Sequence, residues 1–293
     1  MDSGQLELAT VIVHVVSLFG FTTNIIAIFT IIKSIKLHSS FGILCTALAG
    51  NNSFVLVLNS MYLMPETGSF AMGTVLSRII GMVRIFSCFF RSAPLIFQIG
   101  MSLWVVGVRF HMLISLNRLL TLAFPIASQW YITPRATTVA VAAALFLSLA
   151  QCAPLAFVDD LWFCYDHSTM MWTFKPSEIG LYYKANFNEL PITAEFGCVL
   201  LLDLITIAYL RFVRSDTVKS DLSGKRAVEI RLFKQAFSQS VPILLTYIVF
   251  AFVTPVLTDH FSRFLSTTLM WHLAHGIDGL IIDLFHTRLS LFK

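Results

Sequence analysis

Charge is scarce in this chain. Only 12% of its 293 residues are Asp, Glu, Lys or Arg, against about 25% in an average soluble domain. With 57% apolar residues and a mean hydropathy of +0.79, there is too little polar surface to cover one or two soluble cores, so the excess must face lipid. Cysteine is sparse as well. The five present (Cys45, Cys88, Cys152, Cys164, Cys198) lie mostly in apolar runs with no CxxC pair, which excludes a disulfide framework and a zinc ribbon. The net charge of +4 is small and no basic patch is continuous, so nucleic acid is not a partner. The N-terminus MDSGQLELAT carries no Lys or Arg and runs into an apolar stretch too long for a signal-peptide core, so the first span is expected to be retained.

What is abundant is length of apolar run. A bilayer core of about 30 Å takes roughly 20 apolar residues as a helix. Leu8 to Ile32, Phe41 to Met64, Ala136 to Val158 and Gln235 to Thr258 contain no charged residue. Three further runs are interrupted by polar groups, which in a spanning helix face the bundle interior. The pattern predicts an all-α seven-transmembrane helix bundle in one domain, residues 1–293, with spans at about 8–32, 41–64, 99–120, 136–158, 190–213, 235–258 and 264–286.

Short inner loops carry the excess of Lys and Arg. With the N-terminus outside and the C-terminus cytoplasmic, the inner side collects Lys33, Lys36, Arg118, Arg135, Arg211, Arg214, Lys219, Lys225, Arg226, Arg231, Lys234, Arg288 and Lys293. The outer side holds only Arg78, Arg84, Arg91, Lys175, Lys184 and Arg263, together with the acids Asp159, Asp160, Asp166, Glu178 and Glu189. The sequon Asn51-Asn52-Ser53 lies inside span two, beyond the reach of the glycosylation machinery.

Several constellations could carry function. Asn117-Arg118 closes span three, with Phe124-Pro125 beyond it. An arginine there serves either as a switch contact to a neighbouring helix or docked partner, or as a snorkelling anchor. Arg109 lies nine residues earlier, about 13 Å deeper. Asp278 and Asp203 fall at a similar depth, about 15 and 12 Å from Arg288 and Arg211. An unpaired midplane charge costs at least ~2.5 kcal/mol, so Arg109 is expected to pair with Asp278 or Asp203; the alternative is a watery cavity. Asn24 and His275 complete the expected intramembrane polar network. His272, His275 and Asp278 recur in steps of three on one face of span seven, which suits a metal site or, more commonly, a hydrogen-bonded interior. Span seven has no Lys, so a retinal Schiff base is excluded, and no cofactor is called for. Lys225 to Gln239 has no Gly or Pro and should extend span six as a basic helix toward membrane lipids or a protein partner.

These stretches, with Phe41-Gly-Ile-Leu-Cys45, Ile114-Ser-Leu-Asn-Arg118, Leu200-Leu-Leu-Asp-Leu-Ile-Thr206, Glu229-Ile-Arg-Leu-Phe-Lys-Gln235 and Trp271 before His275-Gly-Ile-Asp-Gly-Leu-Ile281, resemble the nematode serpentine receptor class X chemoreceptors of the G-protein-coupled receptor superfamily. The resemblance covers nearly the whole chain. It implies detection of an unknown small-molecule ligand outside and activation of a heterotrimeric G protein inside. It also implies a multi-pass plasma-membrane location, by family analogy in sensory neuron cilia, and no enzymatic activity. Asn117, Arg118, Arg226 and Lys234 would then face the G protein. Trp104, Phe196, Tyr247 and Trp271 would line the ligand site in the outer half. Rival classes are a small transporter or channel, against which stand the odd helix count and the absence of a repeat, and an intramembrane metal-dependent hydrolase.

The chain departs from the family at three places. Relatives often have a second cysteine in the loop after span four, whereas none lies between Ser168 and Asn188 to pair with Cys164. The family's Phe-Asn after the span-seven motif is Phe285-His286 here. Finally, Val83 to Gln98 (VRIFSCFFRSAPLIFQ) looks inserted before span three. Val-Arg can be encoded as a splice donor and Ile-Phe-Gln as an acceptor, so a retained intron of sixteen codons would keep the frame; the alternative is a longer outer loop or a displaced helix.

Overall fold

In a helix that is apolar all round, hydropathy does not say which side looks inward. Residue size does, because lipid competes poorly for close backbone contact. In the first helix the buried positions are Ala9, Thr10, Val13, Ser17, Gly20, Thr23, Asn24, Ala27 and Ile31, a stripe of mostly small or polar residues in steps of three and four. The large residues Leu18, Phe19, Phe29 and Ile32 point outward. The same division places Phe146 and Phe252, each 70% exposed, on the outside of their helices.

The computed structural model describes residues 1–33, 39–62, 94–158, 160–161, 163–166, 169, 171–213 and 223–290. Seven long helices lie among them: α1 (Ser3–Lys33), α2 (Ser40–Tyr62), α3 (Pro94–Ala123), α4 (Pro134–Cys152), α5 (Leu190–Val213), α6 (Ser223–Ile248) and α7 (Met270–Ser290). Six are long and apolar enough to cross a membrane. The seventh, α7, carries His272, His275 and Asp278 on a buried face. Together they form a seven-helix bundle. The expected continuous helix across Lys225–Gln239 is present within α6. Of the apparent insert, the last five residues form the opening of α3, and 83–93 lie outside the described residues.

Local chemistry sets several boundaries. Thr133 caps α4 by accepting from the Ala136 amide, with Pro134 in the first helical position, where its missing N–H is no loss. Ser177 caps the helix Glu178–Tyr183 through the Gly180 amide at 3.0 Å. That helix passes through a wide π turn, Lys184–Glu189, into α5. Another π turn, Leu265–Leu269, leads into α7. Between α4 and α5 a hairpin pairs β1 (Phe163–Asp166) with β2 (Met171–Phe174), Phe163 opposite Phe174. Phe163 stacks on Trp172 at 5.2 Å, and Trp172 meets Trp271 of α7 edge-on at 6.3 Å. The hairpin therefore sits over one end of the bundle.

Helices α1 and α7 approach closely enough for backbone to meet backbone. A Cβ on Gly20 would stand 2.8 Å from the Gly276 Cα, and one on Gly279 only 2.6 Å from the Asn24 backbone nitrogen. Only glycine leaves room for backbones at this separation. The gap is closed by polar bonds: Thr23 Oγ1 donates to the Gly276 carbonyl at 3.0 Å, and Asn24 Nδ2 to the His275 carbonyl at 2.9 Å.

Candidate functional site

Three clusters of side chains occupy successive depths. At the end of α3 away from the hairpin, Arg118 is 3% exposed despite its charge. Its Nη2 donates to Asn117 Oδ1 at 2.7 Å, and its guanidinium carbon stands 3.9 Å over the Phe41 ring of α2, a cation–π contact that offsets part of the desolvation. Gln235 of α6 closes on the same region, donating to Cys45 Sγ of α2 at 3.8 Å. Lys234, one residue earlier, faces outward. Arg226 lies in the first turn of α6; its side chain is outside the described residues.

The middle of the bundle holds a polar centre shared by α1, α2, α3, α5, α6 and α7. Asn52 Nδ2 donates to Asp278 Oδ2 at 2.9 Å, while Asn52 Oδ1 accepts from His275 Nδ1 at 2.8 Å. His111 Nε2 lies 3.3 Å from the same carboxylate oxygen. Asp203 is buried beside the hydroxyls of Ser115 and Ser240 and within the field of His111. Asn24 joins through the His275 carbonyl.

Arg109 does not belong to this centre, and the expected pairing with Asp278 or Asp203 is corrected. Its Nε donates to Glu195 Oε1 of α5 at 2.9 Å, Nη1 to Ser148 Oγ of α4 at 2.8 Å, and Nη2 to Gln151. Gln151 in turn donates to the Phe187 carbonyl of the π turn at 2.6 Å. The physical reason is azimuth. Depth along the axis matched Arg109 to the aspartates, but two residues along a helix turn the side chain by about 200°. His111 therefore faces the centre, and Arg109 faces the seam between α4 and α5.

Toward the hairpin, the four aromatic residues singled out in the sequence meet in one cluster. Trp104 stands edge-on to Trp271 at 5.6 Å and against Phe196 at 6.3 Å, and Phe196 packs on Tyr247 at 4.7 Å. Tyr247 shares a hydrogen bond with Thr193 of α5. His275 forms the floor, 6.3 Å from Trp104 and 5.8 Å from Trp271.

Asn52, His111, Glu195, Ser148 and Gln151 were not among the expected site residues. Two adjacent asparagines at the middle of an apolar span were the available signal for Asn52, since a buried amide must find partners. Nothing in the sequence marked Ser148 or Gln151. Among the described residues no group of three or more His, Cys, Asp or Glu side chains could hold a metal ion; His272 Nδ1 meets the Thr268 carbonyl at 2.6 Å, and His275 and Asp278 both bond to Asn52.

A seven-helix bundle with a buried arginine at one end, a polar centre and an aromatic cluster at the other has the architecture of a rhodopsin-like receptor. The crystal structure of squid rhodopsin superimposes with a TM-score of 0.71, covering 99% of this chain and 84% of that one at 14% identity; the likeness establishes the fold. Residues 14–286 match the family described as serpentine type 7TM GPCR chemoreceptor Srx, and the chain belongs to that family. Serpentine receptor class X 45 of Caenorhabditis elegans is 27% identical over 300 residues, an alignment covering 96% of this chain and 79% of the relative.

Proposed function

We propose that the protein detects a small extracellular molecule and activates a heterotrimeric G protein, with its N-terminus outside, in the plasma membrane and by family analogy in sensory neuron cilia. The hairpin and the aromatic cluster of Trp104, Phe196, Tyr247 and Trp271 form the ligand-facing end. Asn117, Arg118, Arg226 and Lys234 form the G-protein-facing end, where the inner Lys and Arg excess also meets anionic lipid.

The observation that carries this reading is the storage of Arg118 inside the bundle, against Asn117 and the Phe41 ring. A purely anchoring arginine at a helix end gains most by snorkelling to the headgroups. An arginine held inside instead is available for release when α6 separates from α2 and the Gln235–Cys45 contact opens. Such a two-position element is what a ligand can bias.

The test is basal and ligand-driven nucleotide exchange on a reconstituted heterotrimeric G protein. Arg118→Ala is expected to abolish exchange while surface expression persists. Exchange at the wild-type rate by a correctly trafficked Arg118→Ala receptor would sink the reading.

A further inference from the structure

Each hydrogen-bonding group in the polar centre constrains the next. An amide NH2 donates and an amide oxygen accepts, so Asn52, donating through Nδ2 to Asp278, presents its oxygen to His275. That oxygen only accepts, so His275 Nδ1 carries the proton. In the neutral imidazole the other nitrogen, Nε2, is then a bare acceptor. His275 is 2% exposed, and its Nε2 has no hydrogen-bond partner among the described residues. The indole Nε1–H of Trp271, whose ring lies 5.8 Å from that of His275, is buried and without such a partner as well. One unused acceptor and one unused donor thus sit on adjacent rings, walled by Trp104.

We infer that the aromatic cluster is a subsite for the hydroxyl group of a small, neutral, largely apolar ligand, the hydroxyl donating to His275 Nε2 and accepting from Trp271 Nε1–H. This rests on the receptor reading and names the ligand class. A hydroxyl is both donor and acceptor and satisfies both rings at once. A ketone or ether accepts from Trp271 but leaves His275 Nε2 unpaired in an apolar enclosure, the situation that lets a site reject an analogue lacking one hydrogen. Among the described residues neither His275 nor Trp271 is hydrogen-bonded to a carboxylate, so an ammonium ligand finds no counter-charge in direct contact there. The rings touch one another and must part to admit a molecule, which favours a small one.

The experiment uses matched pairs on the purified full chain in lipid nanodiscs: 1-phenylethanol against acetophenone, and 2-heptanol against 2-heptanone. Binding is followed by tryptophan fluorescence without G protein. Each pair differs little in membrane partitioning, so nonspecific effects cancel. The wild type should bind each alcohol roughly tenfold or more tightly than its ketone. His275→Phe should bring the alcohol down to the ketone's affinity and leave the ketone unchanged, whereas Trp271→Phe should weaken both. Equal binding of alcohol and ketone by the wild type, or no binding of any of the four probes, overturns the inference; in the second case internal water fills the subsite. The two readings fail separately. Alcohol binding without nucleotide exchange refutes the receptor reading alone, and exchange driven equally by ketone and alcohol refutes the subsite alone.

Discussion

The α1–α7 seam allows a sharp prediction. In Gly279→Ala the new methyl would lie 2.6 Å from the Asn24 nitrogen, 2.8 Å from its Cα and 2.8 Å from the Thr23 carbonyl carbon. All three are backbone atoms, so no side chain can swing aside. Reaching ordinary contact at 3.4 Å requires the helices to separate by about 0.8 Å locally. That movement stretches the bonds from Thr23 to the Gly276 carbonyl, now 3.0 Å, and from Asn24 to the His275 carbonyl, now 2.9 Å, to the limit of hydrogen-bonding distance or beyond. Overpacking of this kind costs about 1–3 kcal/mol, and each weakened bond adds about 0.5–1.5 kcal/mol. A total of about 2–6 kcal/mol is expected. The assay is thermal unfolding in detergent followed by an intrinsic fluorescence or thiol-dye signal, with Gly197→Ala as control, because nothing lies within 4 Å of a Cβ there. Gly279→Ala should melt well below the wild type and Gly197→Ala at or slightly above it. Equal melting of all three proteins would refute the close-packing argument.

Three further outcomes follow from the structure. In a double-mutant cycle of Arg109→Gln and Glu195→Gln, the two single changes should together cost more stability than the double variant, by a coupling of about 1–3 kcal/mol; additivity would remove the Arg109–Glu195 pair. Asp259 accepts from the Ser262 amide at 2.8 Å at the start of the helix His260–Phe264, and that bond holds its carboxyl below the ordinary carboxylate range. A depressed folded value means the cap is fully formed above the unfolded value and is lost as pH falls through the folded one. Amide protection at Ser262 should therefore drop only under strongly acidic conditions, and Asp259→Asn should abolish that pH dependence. Sequencing of the mature message across Gly81 to Gly100 should show the codons for Val83 to Gln98 absent if they are a retained intron; their presence in every transcript would refute that origin.

Much of the bundle was legible in the sequence because the bilayer imposes a length on any uncharged helix, and each of the four clean runs overlaps one long apolar helix. The aromatic residues Trp104, Phe196, Tyr247 and Trp271 could be grouped by depth and by the order of spans. The partner of Arg109 could not. Its depth matched two aspartates well, but a side chain's direction around the helix depends on how α3 is rotated against α4 and α5, and an almost uniformly apolar helix carries no moment that reports that rotation. The partners of Asn52 were equally hidden, since both lie on α7, more than two hundred residues away.

The sequence by itself determined that the chain is a multi-pass membrane protein and which family it joins, since these depend on composition, run length and local motifs. Only the tertiary structure decided which polar groups meet. Arg109 went to Glu195, Asp278 to Asn52 and His111, and His275 Nε2 met no partner among the described residues, because such pairings are set by the mutual rotation and close approach of helices. Glycines at 20, 276 and 279 permit that approach between α1 and α7, but their effect is felt only once two distant segments are packed together.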